Sequence, residues 1–210
     1  MSAAHRQRRT NAWPPLCGLV LCGGRGTRLG VDKGALDYHG RAQAHWLRDL
    51  LAAVCGDAFV SIRRDQRDHR IYAGVPAIID RPGAYGPAAG LLAAWDAAPD
   101  AAWLLVAADM PLVDAPLLAT LVQARDPTAT ATAFRHPDGT PEPLCTIWEP
   151  RARALVEASR PRFSLRDVLA AADSKLIDPP DPSQLRSVNT PEDDRAVRSR
   201  LARLAGAPPR

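Results

Sequence analysis

Between Leu21 and Lys33 the chain reads LCGGRGTRLGVDK, with four glycines, two arginines and a lysine directly behind an apolar run. This composition suits the holding of a polyphosphate. Gly23 and Gly24 carry no side chain, so a base or ribose can approach their backbone and meet exposed N–H groups, while Arg28 and Lys33 bring fixed positive charge. Two better-known phosphate motifs do not fit. The Walker pattern needs Ser or Thr straight after its Gly-Lys pair, whereas Lys33 follows Asp32 and precedes Gly34; the dinucleotide fingerprint needs a third glycine where Leu29 stands. A further candidate is Asp109, which ends the apolar run WLLVAAD ahead of Met110 and Pro111. A lone strand-end carboxylate beside a phosphate loop suits Mg2+, which takes only about one or two carboxylates plus phosphate oxygens and water. The plain alternative is an Asp that caps the next turn.

For these groups to meet, the chain must bring its glycine turn and Asp109 to one edge. Apolar runs at 16–22, 57–62, 76–80 and 102–109 predict buried strands. Helices are predicted between them: 41–55 with Trp46, Leu47, Leu50, Leu51 and Val54 on one stripe, 86–98 with Pro87 at its first position, and 114–124 opened by a capping Asp114. This alternation implies an α/β fold of three layers, Rossmann-like, with a mostly parallel sheet between helices. In such sheets ligands bind beyond the carboxyl ends of the strands, and the first strand-to-helix turn is the usual phosphate site. Segments 129–134 and 143–148, about an Asp138-Gly139 turn, predict a late antiparallel hairpin. Hydroxyl-to-carboxylate spacings at Ser164–Asp167 and Thr190–Asp193 mark two helix starts. GPAAG at 86–90 reads either as a helix start aimed at an anion or as tight packing alone. Glu142 reads either as facing the pocket of a second substrate or, as residue type favours, as a surface hairpin carboxylate.

A chain of 210 residues, 46% hydrophobic and 24% charged, suits one compact domain over 16–205, preceded by a basic tail, 1–15, expected to be disordered. No apolar run approaches the ~18 residues of a membrane span. The opening also lacks the apolar segment of ~7 to 15 residues that a secretory signal carries. Of the formal net charge of +4, Arg6, Arg8 and Arg9 supply three units, and Arg195, Arg198, Arg200 and Arg203 stand at helical spacing as a solvated face. With 5% aromatic residues there are few platforms for stacking bases, so nucleic acid is not an expected partner, nor is a membrane. Cys17, Cys22, Cys55 and Cys145 form no metal-binding spacing, which fits a reduced, cytoplasmic setting.

The stretch LCGGRGTRLGVDKGAL is similar to the opening signature of the molybdenum cofactor guanylyltransferases and their nucleotidyltransferase relatives. The likeness continues in order through IIDRPGAYGPAAGLLAA (78–94), LLVAADMPLV (104–113), PEPLCTIWEP (141–150) and SVNTPED (187–193). It implies an NTP transferase fold and a reaction in which the terminal phosphate of molybdopterin, carrying molybdenum, attacks the α-phosphate of GTP and releases pyrophosphate. GTP and molybdenum-molybdopterin would be the substrates and Mg2+ the cofactor; a molybdoenzyme or its chaperone stays open as receiver of the product. Carried over residue by residue, Leu21, Cys22 and Gly23, with Gly24 in the same turn, match positions that line the guanine. Lys33 matches the lysine that reaches the phosphates, Asp80 a carboxylate near the base, Asp109 the aspartate that binds Mg2+, and Asn189 an asparagine near the reaction centre. Arg28, Lys33 and Asp109 make up the expected catalytic set.

The chain departs from that pattern at Cys22, where Ala is commoner, and at Leu29, where Met is commoner. Where the guanylyltransferases often carry an asparagine after the second strand, it has Ser61, Ile62, Arg63 and Arg64. Arg63 is open to a guanine edge, a phosphate or solvent. Three other readings compete: a cytidylyltransferase acting on the same acceptor, a sugar-1-phosphate nucleotidylyltransferase, whose opening GGRGTRL also resembles, and a non-catalytic nucleotide-binding partner in cofactor delivery.

Overall fold

Apolar runs without alternation fit strands covered on both faces, and the first four runs pair as such. In the computed structural model, which describes residues 13–24, 32–162 and 164–206, β1 (Leu16–Leu21), β2 (Ala58–Ile62), β3 (Ala77–Ile79) and β4 (Ala102–Ala107) lie parallel. β5 (Ala131–Arg135) and β6 (Pro141–Trp148) form the predicted hairpin, and β7 (Ser174–Ile177) adds parallel to β5. Among the described residues the sheet has seven strands in the order β3-β2-β1-β4-β6-β5-β7, and β6 alone runs against its neighbours. At the hairpin tip Gly139 takes φ +84°, a conformation a side chain disfavours, and the Asp138 carboxylate accepts the Thr140 N–H at 2.9 Å.

Alternate side chains of the central strands feed two cores. Val20, Leu104 and Val106 pack with α1 (Gln43–Cys55) and α3 (Ala115–Gln123). Leu19, Trp103 and Leu105 pack on the other face with α2 (Pro87–Ala97), α4 (Ala152–Ala158) and α5 (Leu165–Ala171). Helices on both faces give the three expected layers. α2 is buried from Ala88 to Trp95, and its small residues let it sit low: a Cβ on Gly90 would strike Ser61 Oγ on β2 and come within 2.8 Å of Leu21 Cδ2 on β1.

Local capping agrees with the sequence. Asp114 accepts the Leu117 N–H at 2.9 Å, Ser164 accepts that of Asp167 at 3.2 Å, and Thr190 and Asp193 cap each other at the start of α6 (Pro191–Leu204). Arg195, Arg198 and Arg200 are paired with Glu192, Asp194 and Asp181, as a solvated face would be. All four cysteines are free thiols, and no helix among the described residues is long and apolar enough to cross a membrane.

The order of the strands decides where a ligand can bind. From β1 the chain winds outward through β2 to β3, then α2 carries it back across to β4 on the other side of β1. Such a reversal opens a crevice between the carboxyl ends of the two central strands. Leu21 and Ala107 are partners in register there, and the Ala108 N–H donates to the Leu21 carbonyl at 3.0 Å. The glycine turn and Asp109 therefore leave the sheet side by side.

Candidate active site

Lys33 reaches this crevice because the residue before it is tied down. Asp32 Oδ1 accepts the Gly34 N–H at 2.9 Å, closing a short 3-10 turn over Lys33–Ala35, and the same carboxylate accepts from Tyr72 Oη at 2.9 Å and Gln66 Nε2 at 2.7 Å. Gln66 Nε2 also donates to the Cys22 carbonyl at 3.1 Å, so one amide braces both ends of the glycine stretch. From the other direction, the Val188 N–H donates to the Asp109 carbonyl at 2.8 Å, and Asp193 accepts the Asn189 N–H at 3.2 Å. The cap of α6 thereby sets Asn189 beside the end of β4.

These supports bring three distant side chains together. Lys33 Nζ donates to Asp109 Oδ2 and to Asn189 Oδ1, each at 2.8 Å. All the expected residues except Arg28 line one cavity of about 840 Å³ at the carboxyl edge of the sheet. Arg28 lies outside the described residues. The first turn of α2 also lines the cavity, through Gly86, Pro87, Ala89 and Gly90.

Asp80 lines the same cavity, hydrogen-bonded through Oδ1 to Ser61 Oγ. Burial raises its carboxyl above the ordinary 3.8, against the opposing pull of the Ser61 hydrogen bond and of Arg63. Gly23 is required here, since a Cβ at that position would overlap Asp80 Oδ2. Arg63, left open by the sequence, is committed to the backbone: Nη1 donates to the Gly23 and Gly24 carbonyls at 2.8 and 2.9 Å, and Nε to Asp65 at 3.0 Å. Burial pushes the Cys22 thiol upward, leaving it neutral in the cavity wall and unsuited to act as a nucleophile.

Glu142 corrects its sequence reading. It is 6% exposed, not a surface carboxylate, in a stretch of β6 buried from Pro141 to Pro143: Oε1 accepts the Leu144 N–H at 2.7 Å and Oε2 meets His136 Nε2 at 2.9 Å. It supports the stretch that carries Leu144 to the cavity wall.

The donor set fits a hard divalent cation. Asp109 Oδ1 is buried without a hydrogen-bond partner among the described residues, while Oδ2 is engaged by Lys33. The described residues contain no cluster of three or more His, Cys, Asp or Glu that would cage a metal. A cation here would rest on Asp109, with substrate oxygens and water completing its shell, as Mg2+ does beside phosphates.

A profile of the MobA-like NTP transferase domain matches residues 18–176, which span the glycine turn, Asp80 and Asp109. The chain belongs to that family. A molybdenum cofactor guanylyltransferase of Pseudomonas fluorescens is 34% identical over 183 residues, covering 85% of this chain and 91% of that protein. A molybdenum cofactor biosynthesis bifunctional protein of Synechocystis is 32% identical over 183 residues; there the match takes 85% of this chain but only 52% of the relative, so the chain spans about half its length. Among solved structures, molybdopterin-guanine dinucleotide biosynthesis protein A of Archaeoglobus fulgidus superposes with a TM-score of 0.71 at 20% identity, over 90% of this chain and 98% of that one. At that identity the likeness speaks for the nucleotidyltransferase fold, which for this MobA-like chain is the three-layer arrangement described above.

Four supports escaped the sequence reading: the Asp32, Gln66 and Tyr72 brace, the Arg63 clamp, the Ser61–Asp80 pair and the Asp193 tie to Asn189. Of these, Asp32 left a local signal, an Asp two residues ahead of the glycine whose N–H it accepts, and Asp193 another, the carboxylate three residues after Thr190.

Proposed function

We propose that residues 16–205 work as one guanylyltransferase that moves GMP from GTP to molybdenum-loaded molybdopterin. The observation that carries this reading is the meeting of Lys33, Asp109 and Asn189 at the crevice where the glycine turn leaves β1. The guanylyltransferase relatives supply the acceptor and the family supplies the reaction type. In the step proposed, an oxygen of the acceptor's terminal phosphate forms a bond to Pα of GTP. The bond from Pα to the bridging oxygen breaks, and pyrophosphate departs with the electron pair. No proton has to be removed, because the attacking phosphate is already ionised at neutral pH.

The work left to the protein is positioning and charge stabilisation. Lys33 faces the phosphates, where its ammonium offsets the charge gathering on the α-phosphate and the leaving group. Asn189 fixes the direction of that ammonium. Arg28 is proposed to add a second cation from the same turn. Asp109 would hold Mg2+, which when bound draws charge from the phosphate oxygens.

Base choice follows from Asp80. An ionised carboxylate only accepts, and guanine presents two neighbouring N–H donors to it, whereas cytosine sets one donor beside an acceptor. The base is placed against Leu21, Cys22 and Gly23, with Asp80 accepting from its edge. Incubating the protein with molybdate-loaded molybdopterin, Mg2+ and labelled GTP, CTP or UTP tests the reading. Pyrophosphate release and a labelled dinucleotide are expected with GTP; preference for CTP, or transfer to a sugar 1-phosphate instead, would overturn it.

Asp80 also imposes a pH dependence. Its carboxyl is raised by burial, so the accepting form is complete at high pH and is lost as pH falls through a value above the ordinary 3.8. GTP affinity is therefore expected to weaken on acidification sooner than an exposed carboxylate would allow. Asp80→Asn should bind more weakly at neutral pH and lose that part of the acid limb. Titration calorimetry of GTP against both proteins across pH reads the difference, and superimposable profiles would remove Asp80 from the base.

A further inference from the structure

If Asn189 sets the direction of the Lys33 ammonium, something must set Asn189 against Lys33, for the two stand 156 positions apart in the chain. Packing of the helix that follows Asn189 does little of this. Of the described residues of α6, Val197 alone is buried. It enters a small third core with Leu112 and Val188, against which Tyr38 and Leu201 are packed. A helix that buries so little apolar surface is held only weakly by it.

A polar tie supplements that core. Tyr38 Oη donates to Asp194 Oδ1 at 2.7 Å, and this pair too is 156 positions apart, so it repeats the Lys33–Asn189 contact further along both segments. Arg198 completes the tie: Nε donates to Asp194 Oδ2 at 2.9 Å, Nη1 to the Asp37 carbonyl at 2.8 Å, and the guanidinium carbon lies 4.6 Å from the centre of the Tyr38 ring. The segment that follows Asp109 joins it as well, through a 2.9 Å bond from His39 Nε2 to the Pro111 carbonyl and through Leu112 in the small core. The three stretches that carry Lys33, Asp109 and Asn189 thus meet twice, once at the cavity and once outside it. The described residues that line the cavity do not include Tyr38, so any part it plays in turnover is played through other groups.

We propose that Tyr38 is a positioning residue for guanylyl transfer: its hydroxyl, through Asp194 and the head of α6, holds Asn189 on the Lys33 ammonium. The assignment rests on the guanylyl-transfer reading and on the part that reading gives Asn189. A phenolic O–H donating to a carboxylate is stronger than a bond between neutral groups. Tyr38→Phe deletes that bond while keeping the ring in the small core and beside Arg198.

The test is steady-state transfer from GTP to molybdate-loaded molybdopterin by the wild type, Tyr38→Phe, Asn189→Ala and the double variant, with Asp194→Ala and Asp194→Asn alongside. Tyr38→Phe should lower kcat about tenfold, the factor that one hydrogen bond to a charged group commands. Its KM for GTP and its melting temperature should stay near wild type, because the residues assigned to the base lie in other segments and the ring remains. In the Asn189→Ala background the same substitution should lower kcat no further, since the group it positions is gone. Asp194→Ala should reproduce Tyr38→Phe, and Asp194→Asn, which keeps an acceptor for the hydroxyl, should recover part of the loss. A kcat unchanged in Tyr38→Phe overturns the assignment, as do losses that multiply in the double variant, which would mark a general loosening of the fold. Absence of transfer by the wild type would instead bring down the guanylyl reading and this role with it.

Discussion

Purified Lys33→Ala and Asp109→Ala proteins will fold and melt near the wild-type temperature, yet release pyrophosphate at least about 10²–10³-fold more slowly, the usual consequence of removing one aimed charge from a transition state. The two halves of that expectation have separate causes. The pair is partly open to solvent, with side chains 20% and 17% exposed, so removing either partner costs about 1 kcal/mol or less of stability. The link that joins the ends of the site survives both substitutions, because it runs from the Val188 N–H to the Asp109 backbone carbonyl. Turnover has no such substitute. Lys33→Ala removes the ammonium that offsets phosphate charge and leaves Asn189 Oδ1 without its donor. Asp109→Ala removes the carboxylate proposed to hold the cation. The double variant should lose little more than either single one, since groups that stabilise the same charge act as a unit. Pyrophosphate release with calorimetric melting of the same preparations checks both halves, and near-normal turnover in both single variants would eliminate the mechanism.

The convergence behind that prediction was legible because strand period and strand end are local signals. An apolar run stopping at Leu21 and another stopping at Asp109 have their carboxyl ends at one edge if both belong to a parallel sheet. Helix starts were legible for a similar reason: the bonds at Asp114, Ser164 and Thr190 join residues three positions apart. The Arg63 clamp was not, because its acceptors are the backbone carbonyls of Gly23 and Gly24, and a carbonyl has no letter in the sequence. Nor was the burial of Glu142, since residue type gives only an average and this carboxylate sits in a stretch of β6 buried on both faces and bonded to His136 across the hairpin. α4 and β7 went unread because each is short and depends on its neighbours: seven helical residues against α2 and α5, four strand residues along β5. The brace of Asp32, Gln66 and Tyr72 spans up to forty residues of chain, and no spacing rule reaches that far.

At the opposite end of the sheet the same chemistry serves stability. Glu149 follows β6, which runs against its neighbours, so it lies at the edge where β1 and β4 begin. It is fully buried and holds Arg125, itself 6% exposed, in a two-pronged pair at 2.7 and 3.0 Å, while Arg125 Nη2 donates to the Pro14 carbonyl at 2.9 Å just before β1. Taking two charges out of water is costly, and their pairing roughly repays it; removing only one leaves the other buried without compensation. Glu149→Ala is therefore expected to lower the unfolding free energy by about 3–5 kcal/mol, a fall in melting temperature on the order of 10 °C. Replacing both partners by apolar residues of similar volume, Arg125→Met with Glu149→Leu, should restore much of the loss, because no orphaned charge remains. GTP affinity of the folded Glu149→Ala protein should stay near wild type, since Arg125 secures the entry to β1 and the glycine turn lies at its exit. Denaturant unfolding and GTP calorimetry on the three proteins separate these outcomes. A Glu149→Ala protein as stable as wild type would mean that the buried charge finds another partner, and loss of GTP binding without loss of stability would mean that the two ends of the sheet are coupled.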